Sequence, residues 1–307
     1  MTLTLASGVD YADLGFLGQP QVIATAILHA PAGVALVDPG PASCLEALGT
    51  ALARRGIDWR DVRWLLLTHI HLDHAGGTGS IVRAHPHVEV VVHEAGAPHL
   101  ARPERLLESA RRLYGGDLER LWGEVAPVPE ASLRVLRGGE RLEAAGRTLE
   151  TAWTPGHARH HVAYFDRASG IVFAGDTAGI RRPPGRYVMP PTPPPDIDLE
   201  AWRASVERLL AWRPSTLLVT HFGPYGDVQA HLAELLERLD AWSRRVRALV
   251  GRADLTEEER LRRFVEETRR EMRRALTEEE VAAHDRAGRL DFSWRGLARY
   301  WRTRQPA

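Results

Sequence analysis

The sequence contains no lysine, only one cysteine and no long apolar run. Its 40 basic residues are therefore all arginines, and 40 Asp and Glu residues balance them at a formal net charge of +0. Because Schiff-base chemistry requires a lysine amine, catalysis of that kind is excluded. The balanced charge also lacks the broad positive field that nucleic-acid binding usually requires, so we expect a small-molecule substrate and no nucleic-acid partner.

The single cysteine, Cys44, excludes an internal disulfide and a cysteine metal cluster. No stretch approaches the ~18 consecutive apolar residues that mark a membrane-spanning helix, so we expect no membrane partner. Residues 1–4 lack the basic segment and the apolar core of a signal peptide. These features favour a cytoplasmic protein, and they are compatible with a homodimer.

The segment 68–77 places three imidazoles and a carboxylate within six residues. His69, His71, Asp73 and His74 follow directly after the apolar run 62–67. Such a pattern predicts a buried strand that delivers metal ligands into the loop at its end. Neutral imidazole nitrogen and carboxylate oxygen suit zinc, and they are also compatible with iron and manganese.

Four other strand-like runs end in a residue that can bind a metal or orient a ligand. The residues are Asp38 after the run 35–37, His157 after 148–153, Asp176 after 171–174 and His221 after 216–219. Rigid strands that carry functional residues at their ends are well suited to hold metal geometry. Five such strand ends in one chain predict a shared metal site.

This pattern, HxHxDH followed by a downstream His, an Asp and a last His, resembles that of the metallo-β-lactamase superfamily over about residues 20–225. The resemblance implies an α/β fold, a four-layer αβ/βα sandwich with the site at one edge between two sheets. The ligand set that it implies comprises His69, His71 and His157 for one divalent ion, Asp73, His74 and His221 for a second, and Asp176 bridging both. It also places Asp38 behind the site as an orienting residue, and it gives His161, four residues after His157, a supporting role or that of a proton donor.

The ligand set predicts a catalytic site with two divalent ions, most simply zinc. Three ligands per ion and one shared carboxylate leave an open position, which distinguishes catalytic from structural zinc. Two cations lower the pKa of a bound water from ~15.7 toward ~7, so metal-bound hydroxide is available as a nucleophile at neutral pH. We expect Asp73 both to bind metal and to accept a hydrogen bond from this nucleophile.

The resemblance leaves several reactions open. True β-lactamases typically carry Cys or Ser where this chain has Asp176, so a glyoxalase II-like hydrolase of a thioester, lactone or related ester is favoured over antibiotic hydrolysis. Glyoxalase II enzymes hold glutathione carboxylates with basic residues, notably lysine, which this chain lacks; arginine can substitute for it. A phosphodiesterase and a persulfide dioxygenase with one iron are the alternatives.

Two segments between the motifs are predicted to form the walls of the site. Residues 95–125 have helical patterning and are long for a connection, so we expect an insert that covers the site. The proline-rich segment 181–195 cannot enter a helix interior or a central strand. We expect it to form a loop near the metals, with Arg186 and Tyr187 as substrate contacts. Arginines beside apolar side chains favour a substrate with an apolar body and an anionic group.

The sequence changes character after His221. From about residue 228 no strand-like run appears, and charged helices dominate. Thr256 and Thr277 each begin a capping-box pattern, which predicts helix starts near 257 and 278. Ser293 is predicted to cap a last helix. We therefore expect a catalytic domain over residues 1–227 and a helical C-terminal region over residues 228–307.

Overall fold

The computed structural model describes residues 5–304 and contains two six-stranded β-sheets. Residues 1–4, on which the expectation about a signal peptide rests, and residues 305–307 lie outside the described part of the chain. Among the described residues, no helix combines the length and the apolar character needed to cross a membrane.

The first sheet follows the order of its strands in the chain. Its strands are β1 (Val9–Asp13), β2 (Ala24–Ala30), β3 (Gly33–Val37), β4 (Val62–Leu66), β5 (Glu89–His93) and β6 (Leu133–Leu136). The pairs β1–β2 and β2–β3 are antiparallel, and β3, β4, β5 and β6 are parallel to one another. The carboxyl ends of β3 and β4 therefore meet at one edge of the sheet.

The second sheet is mainly antiparallel. Its strands are β7 (Arg141–Ala144), β8 (Arg147–Trp153), β9 (Val162–Asp166), β10 (Ile171–Phe173), β11 (Thr216–Val219) and β12 (Gly223–Tyr225), in the spatial order β12-β11-β10-β9-β8-β7. Of the described pairs in this sheet, only β10 and β11 are parallel, so the carboxyl ends of these two strands also lie side by side.

Helices cover the outer faces of both sheets. They are α1 (Leu45–Ala53), α2 (Leu72–Ala75), α3 (Thr78–Ala84), α4 (Ala97–Ala101), α5 (Glu104–Tyr114), α6 (Leu118–Trp122), α7 (Leu199–Ala211), α8 (Val228–Val250), α9 (Glu257–Met272), α10 (Glu278–Gly288) and α11 (Leu290–Arg302). Helices α4, α5 and α6 form the predicted insert, and helices α8 to α11 form the predicted helical region after residue 227.

Three hydrophobic layers separate the sheets and helices. The central layer joins the two sheets through side chains such as Leu28 and Leu66 on one side and Tyr164 and Phe173 on the other. One outer layer packs the first sheet against α1, α3 and α4, and the other packs the second sheet against α7, α8 and the C-terminal helices. This arrangement confirms the predicted four-layer αβ/βα sandwich with a C-terminal helical extension.

The C-terminal helices share the hydrophobic core of the second sheet. Trp242, Phe264 and Trp294, from α8, α9 and α11, are fully buried and in aromatic contact, with ring centroids 5.7 and 5.9 Å apart. They belong to the same buried cluster as Val172 and Leu217 of the second sheet. Residues 228–304 therefore pack on the sandwich rather than around a core of their own.

The starts of the last three helices only partly follow the sequence-based predictions. Thr256 and Thr277 form capping boxes at the starts of α9 and α10, as predicted. The prediction for Ser293 is wrong, because α11 begins at Leu290 and Ser293 is buried inside it. The Asp285 side chain accepts a hydrogen bond from the Leu290 N–H at 3.0 Å, which satisfies a free donor at the true start.

Candidate metal centre

All five sequence-predicted strand ends converge at one edge of the sandwich. Parallel pairing of β3 with β4 places Asp38 beside Thr68, whose backbone N–H donates to Asp38 Oδ1 at 2.8 Å. The backbone N–H of Val162 donates to the Thr68 carbonyl at 2.7 Å, and this bond links the two sheets next to the loop that carries His157. The converging strand ends bring seven ligand-type side chains together.

The first cluster consists of His69, His71 and His157. Nδ1 of His71 lies 2.9 Å from Nε2 of His69 and 2.9 Å from Nε2 of His157. The Pro191 carbonyl can only accept, so the proton of His157 is on Nδ1 (2.9 Å from that oxygen) and Nε2 presents a lone pair to the cluster. Three ring nitrogens at this separation can all reach one cation at the ~2.0–2.1 Å typical of zinc–imidazole bonds.

The second cluster consists of Asp73, His74 and His221. Nε2 of His221 lies 3.3 Å from Asp73 Oδ2, and Nε2 of His74 lies 3.8 Å from the same oxygen. Nδ1 of His221 donates to the Val22 carbonyl at 2.6 Å, which again turns the lone pair of Nε2 toward the cluster. Nε2 of His74 is buried and has no hydrogen-bond partner among residues 5–304. A buried polar atom without a partner is unusual, and it is what we expect of an atom that binds a cation.

Asp176 lies between the two clusters and presents one carboxylate oxygen to each. Its Oδ2 is 3.3 Å from Nε2 of His157, and its Oδ1 is 3.3 Å from Nε2 of His74 and 3.6 Å from Nε2 of His221. Buried Oδ1 has no hydrogen-bond partner in the described part of the chain. The residues present therefore fit a pair of divalent cations with a shared carboxylate.

Asp38 is fully buried behind the clusters and accepts four hydrogen bonds. Its Oδ2 accepts from the Thr68 hydroxyl, the Thr220 hydroxyl and Nδ1 of His74, each at 2.8 Å, and its Oδ1 accepts from the Thr68 N–H. The Thr68 hydroxyl, having donated to Asp38, can accept from Nδ1 of His69 at 3.0 Å. One carboxylate thus orients an imidazole of each cluster, the arrangement that fixes ring tautomers in metal sites.

The electrostatics of the site favour cation binding. Burial lowers the pKa of His71 to about 3 and also lowers the pKa of His69 and His157, so these rings are neutral at pH 7. Burial alone would raise the pKa of Asp73, but His74 and His221 outweigh it and lower that pKa to about 2. Neutral imidazoles and ionised carboxylates are the protonation states that metal binding requires.

His74 shows how strongly the carboxylates attract positive charge. Burial alone would lower the pKa of His74, but the charges of Asp176, Asp38 and Asp73 raise it well above its ordinary value. A divalent ion at this position would replace the proton and interact with the same carboxylates.

His161 supports the site from behind and does not reach the substrate side. It is fully buried, and its ring stacks on His69 with centroids 5.1 Å apart. Its Nδ1 lies 2.8 Å from the Thr154 hydroxyl and 3.1 Å from the Thr177 hydroxyl. These contacts hold the loop after β8, which carries His157, against the loop after β10, which carries Asp176.

A cavity of about 620 Å³ opens onto both clusters. His71, Asp73, His157, Asp176 and His221 all line it. Its volume lies within the ~300–1,000 Å³ that is usual for small-molecule sites. The predicted insert forms part of its wall, as expected, through the side chains of Leu106, Ser109, Ala110, Leu113, Tyr114, Leu121 and Trp122.

The structure does not bring Arg186 and Tyr187 to the cavity. The Tyr187 ring is buried in the core of the second sheet, where its hydroxyl donates to Glu271 at 2.8 Å and Arg238 covers its ring. The Arg186 side chain is 83% exposed and lies 3.8 Å from Asp227. Only the last part of the proline-rich segment, Pro191 and Pro193 to Pro195, lines the cavity.

Several cavity residues carry no motif and were missed by sequence reasoning. His99 and His160 line the cavity near the first cluster, and Arg159, two residues after His157, lies beside them. The C-terminal helices contribute a further group, which comprises Arg286, Ala287, Gly288, Arg289 and Phe292. The position of Arg159 next to a ligand motif was a usable signal, but no local pattern connects residues 286–292 with the metal ligands.

Comparison with known proteins agrees with this site. The family model of the metallo-beta-lactamase superfamily matches residues 19–221, which include every ligand-type residue described above. A metallo-beta-lactamase family protein from Thermus thermophilus has a similar structure, with a TM-score of 0.68 and 27% identity, covering 98% of this chain and 95% of the other.

Two curated relatives extend the comparison. A metallo-beta-lactamase fold-containing protein from Sulfurisphaera tokodaii is 27% identical over 181 residues, which are 57% of this chain and 67% of the relative. A hydroxyacylglutathione hydrolase from a Synechococcus strain is 30% identical over 153 residues, 49% of this chain. This match spans only 47% of that hydrolase's length.

Proposed function

Since the chain belongs to the metallo-beta-lactamase superfamily, we propose that it is a metal-dependent hydrolase that cleaves an ester-like bond, foremost a thioester. His69, His71 and His157 would hold one divalent ion, Asp73, His74 and His221 a second, and Asp176 would bridge them. Zinc suits this set of imidazoles and carboxylates best, although iron and manganese accept the same ligands. When bound, two such ions would activate a water molecule and polarise the carbonyl oxygen of the substrate.

The proposal rests on the position of Asp176 between the two clusters. Each of its carboxylate oxygens faces the imidazoles of a different cluster at 3.3 Å. A site built for a single ion would need one of these clusters, whereas the second contributes three further side chains of ligand type. The arrangement favours a two-metal hydrolase over a dioxygenase with one iron.

The similarity to hydroxyacylglutathione hydrolases supports a thioester as the substrate. Those relatives reach 30% identity, but the matched region is less than half of their length. The chain has no lysine with which to bind glutathione carboxylates, so arginine would have to bind any carboxylate on the thiol half of the substrate. A lactone or another ester is the second candidate substrate for the same site.

Asp73 is the side chain that would act on the nucleophile. It lines the cavity, its side chain is 24% exposed, and its lowered pKa keeps it ionised at neutral pH. It would accept a hydrogen bond from the attacking water and direct a lone pair of that water toward the carbonyl carbon.

Elemental analysis of protein purified without added metal tests the ligand set. We expect about two divalent ions per chain for the wild type, and less metal together with a loss of activity for Asp73→Ala. Asp117→Ala is the matched control, because Asp117 is an exposed aspartate paired with Arg120 and does not line the cavity.

A substrate panel of thioesters, lactones, phosphodiesters and β-lactams tests the reaction. Hydrolysis of thioesters above the other classes is the expected result. One iron per chain, combined with oxygen uptake on glutathione persulfide and no hydrolysis, would show that the protein is an oxidoreductase instead.

A further inference from the structure

The cavity is apolar on the side of the second metal-ligand cluster. Phe16, Trp122, Tyr114 and Phe292 form a continuous aromatic wall, in which neighbouring ring centroids lie 5.3, 5.2 and 5.3 Å apart. The four rings come from the loop after β1, from the insert and from α11, and all of them line the cavity. Three distant segments thus combine into one apolar surface.

The aromatic wall reaches the metal ligands directly. Leu72, between His71 and Asp73, packs in one buried cluster with Ala110 and Trp122. Tyr114 of this wall and Asp73 both line the cavity. A bond that is cleaved at Asp73 therefore has apolar surface immediately on one side.

Polar and cationic side chains also line the cavity, some of them beside the first cluster. The His160 ring lies 5.6 Å from that of His71, and Arg159 and His99 line the cavity beside it. The lining also includes Arg105 at the start of α5. Between residues 5 and 304, no hydrogen bond or ion pair involves the Arg105 or Arg159 side chain, and only the backbone carbonyl of Arg159 accepts a bond, from Trp153. Each guanidinium can bind a carboxylate through paired hydrogen bonds.

The other two arginines on the cavity are already engaged within the protein. Arg286 donates to Gln19 at 3.0 Å, and Arg289 forms a two-point ion pair with Asp291. The arginines that remain for a ligand are therefore Arg105 and Arg159, both exposed at the cavity.

We propose that the substrate is a thioester with an aromatic or bulky apolar acyl group and an anionic thiol half. The acyl group would lie against the aromatic wall, and Arg105 and Arg159 would bind the anion. This inference rests on the proposed function and narrows it to a substrate class. In the reaction the water oxygen bonds to the carbonyl carbon, the carbon–sulfur bond breaks, and the thiolate sulfur takes up a proton, which yields a carboxylic acid and a thiol.

Four synthetic thioesters test the two halves separately. They combine a phenylacetyl or an acetyl group with 3-mercaptopropionate or 2-mercaptoethanol. We expect kcat/KM to be at least about tenfold higher for phenylacetyl than for acetyl, because even one methylene in an apolar pocket contributes ~10-fold or more. We also expect the carboxylate-bearing thiol to be preferred over the neutral one.

Variants connect each preference to its residues. Trp122→Ala should reduce the phenylacetyl preference about tenfold and leave the carboxylate preference unchanged. Arg105→Gln combined with Arg159→Gln should reduce the carboxylate preference and leave the phenylacetyl preference unchanged. Arg102→Gln is the matched control, because Arg102 is also exposed near the start of α5 but pairs with Glu130 and does not line the cavity.

Binding of non-hydrolysable thioethers provides a readout that is independent of turnover. Calorimetry should show that 3-(phenethylthio)propionate binds the wild type at least about tenfold more tightly than 2-(phenethylthio)ethanol, and that the double arginine variant loses this difference. Leu113→Trp, which narrows the cavity without removing core volume, should weaken phenethyl binding even if Trp122→Ala fails to fold.

The outcomes separate the inference from the proposed function. If all four thioesters are cleaved with equal kcat/KM, the protein is a thioester hydrolase and the assigned substrate class is wrong. If none of the thioesters is cleaved but lactones or phosphodiesters are, the proposed thioester function itself is wrong. Cleavage that depends on the acyl group alone, with no effect of the arginines, overturns the anionic half of the proposal.

Discussion

At the scale of single residues, Asp38 shows how a side chain that binds no cation can control two ligands. Its backbone φ of 53° lies in the left-handed region, where Asp and Asn are tolerated better than most residues. Its four hydrogen bonds orient His74 directly and His69 through Thr68. Asp38 therefore supports both clusters of the proposed metal site without binding a cation itself.

We predict that Asp38→Asn lowers the metal affinity of the site about 10–100-fold, the usual effect of losing such a supporting hydrogen bond. Asparagine keeps the backbone conformation but replaces one carboxylate oxygen with an NH₂ group, which cannot accept from His74 and the threonines. Competition with a zinc chelator measures the change. Asp10→Asn, which removes a carboxylate that is paired with Arg55 and belongs to neither ligand cluster, should leave the affinity unchanged.

His231 is a buried histidine outside the two metal-ligand clusters, and it is a neutral structural group. Its Nε2 donates to the Ala178 carbonyl at 2.8 Å, and its Nδ1 accepts from Arg181 at 3.3 Å. Burial, together with the Arg181 charge, lowers its pKa to about 4. Protonation would remove the acceptor for Arg181 and place two cations in contact.

We predict that His231 makes the folded state less stable as the pH falls from about 6.5 to about 4. In this range the unfolded chain binds the proton and the folded chain does not, so the free energy of unfolding decreases. The loss amounts to about 3 kcal/mol at most, from ~1.4 kcal/mol per pKa unit. Urea denaturation across this range should show the loss in the wild type relative to His231→Gln, and parallel pH profiles would contradict the assignment.

At the scale of elements, the path of the proline-rich segment 181–195 explains why Arg186 and Tyr187 do not contact the substrate, although they lie close to Asp176 in sequence. Ile180 and Met189 exchange two backbone hydrogen bonds, of 2.9 and 2.8 Å, which fold the segment back on itself. Arg182 then ties it to the Pro20 and Ala283 carbonyls, and Tyr187 enters the core. The segment therefore links the loop after β1 to the C-terminal helices.

We predict that Tyr187→Phe destabilises the protein by roughly 1.5 kcal/mol, because the hydroxyl of this buried residue bonds to the half-buried Glu271 carboxylate. Its KM should stay at the wild-type value, since the ring does not line the cavity. Thermal denaturation and steady-state kinetics with the preferred thioester measure the two effects. A raised KM with unchanged stability would restore Tyr187 as a substrate contact.

At the scale of the whole molecule, the helices after residue 227 complete both a core and a cavity. Helices α8, α9 and α11 bury the outer face of the second sheet, and the junction of α10 and α11 lines the cavity at residues 286–289. Residue 227 therefore marks a change of secondary structure, and the hydrophobic core continues across it.

We predict that a fragment of residues 1–227 does not fold on its own. It would expose buried side chains such as Trp202, Leu217 and Val219, which now pack against the C-terminal helices. Circular dichroism and a thermal transition test this, with the full chain as the reference. A cooperative transition in the fragment would show that the catalytic region is an independent domain.

The sequence by itself determined the ligand-type residues, and the resemblance of their pattern to that of the metallo-β-lactamase superfamily implied the fold. The ligands follow buried strands, and the periodicity of a strand and the position of its end are local properties that a sequence displays. His69, His71, Asp73 and His74 share one loop, so their proximity needs no tertiary information. The capping boxes at Thr256 and Thr277 could also be predicted, because each is a local sequence pattern.

Only the tertiary structure decided which residues surround the substrate. Phe16 and Phe292 are separated by most of the chain, and packing of α11 against the insert brings them into one aromatic wall. The tertiary structure also brings Arg286 to Gln19, to which it donates at 3.0 Å, and places Arg159 at the cavity. Contacts between distant segments depend on how whole layers pack. The local sequence around a residue such as Phe292 therefore does not predict which residue it will contact.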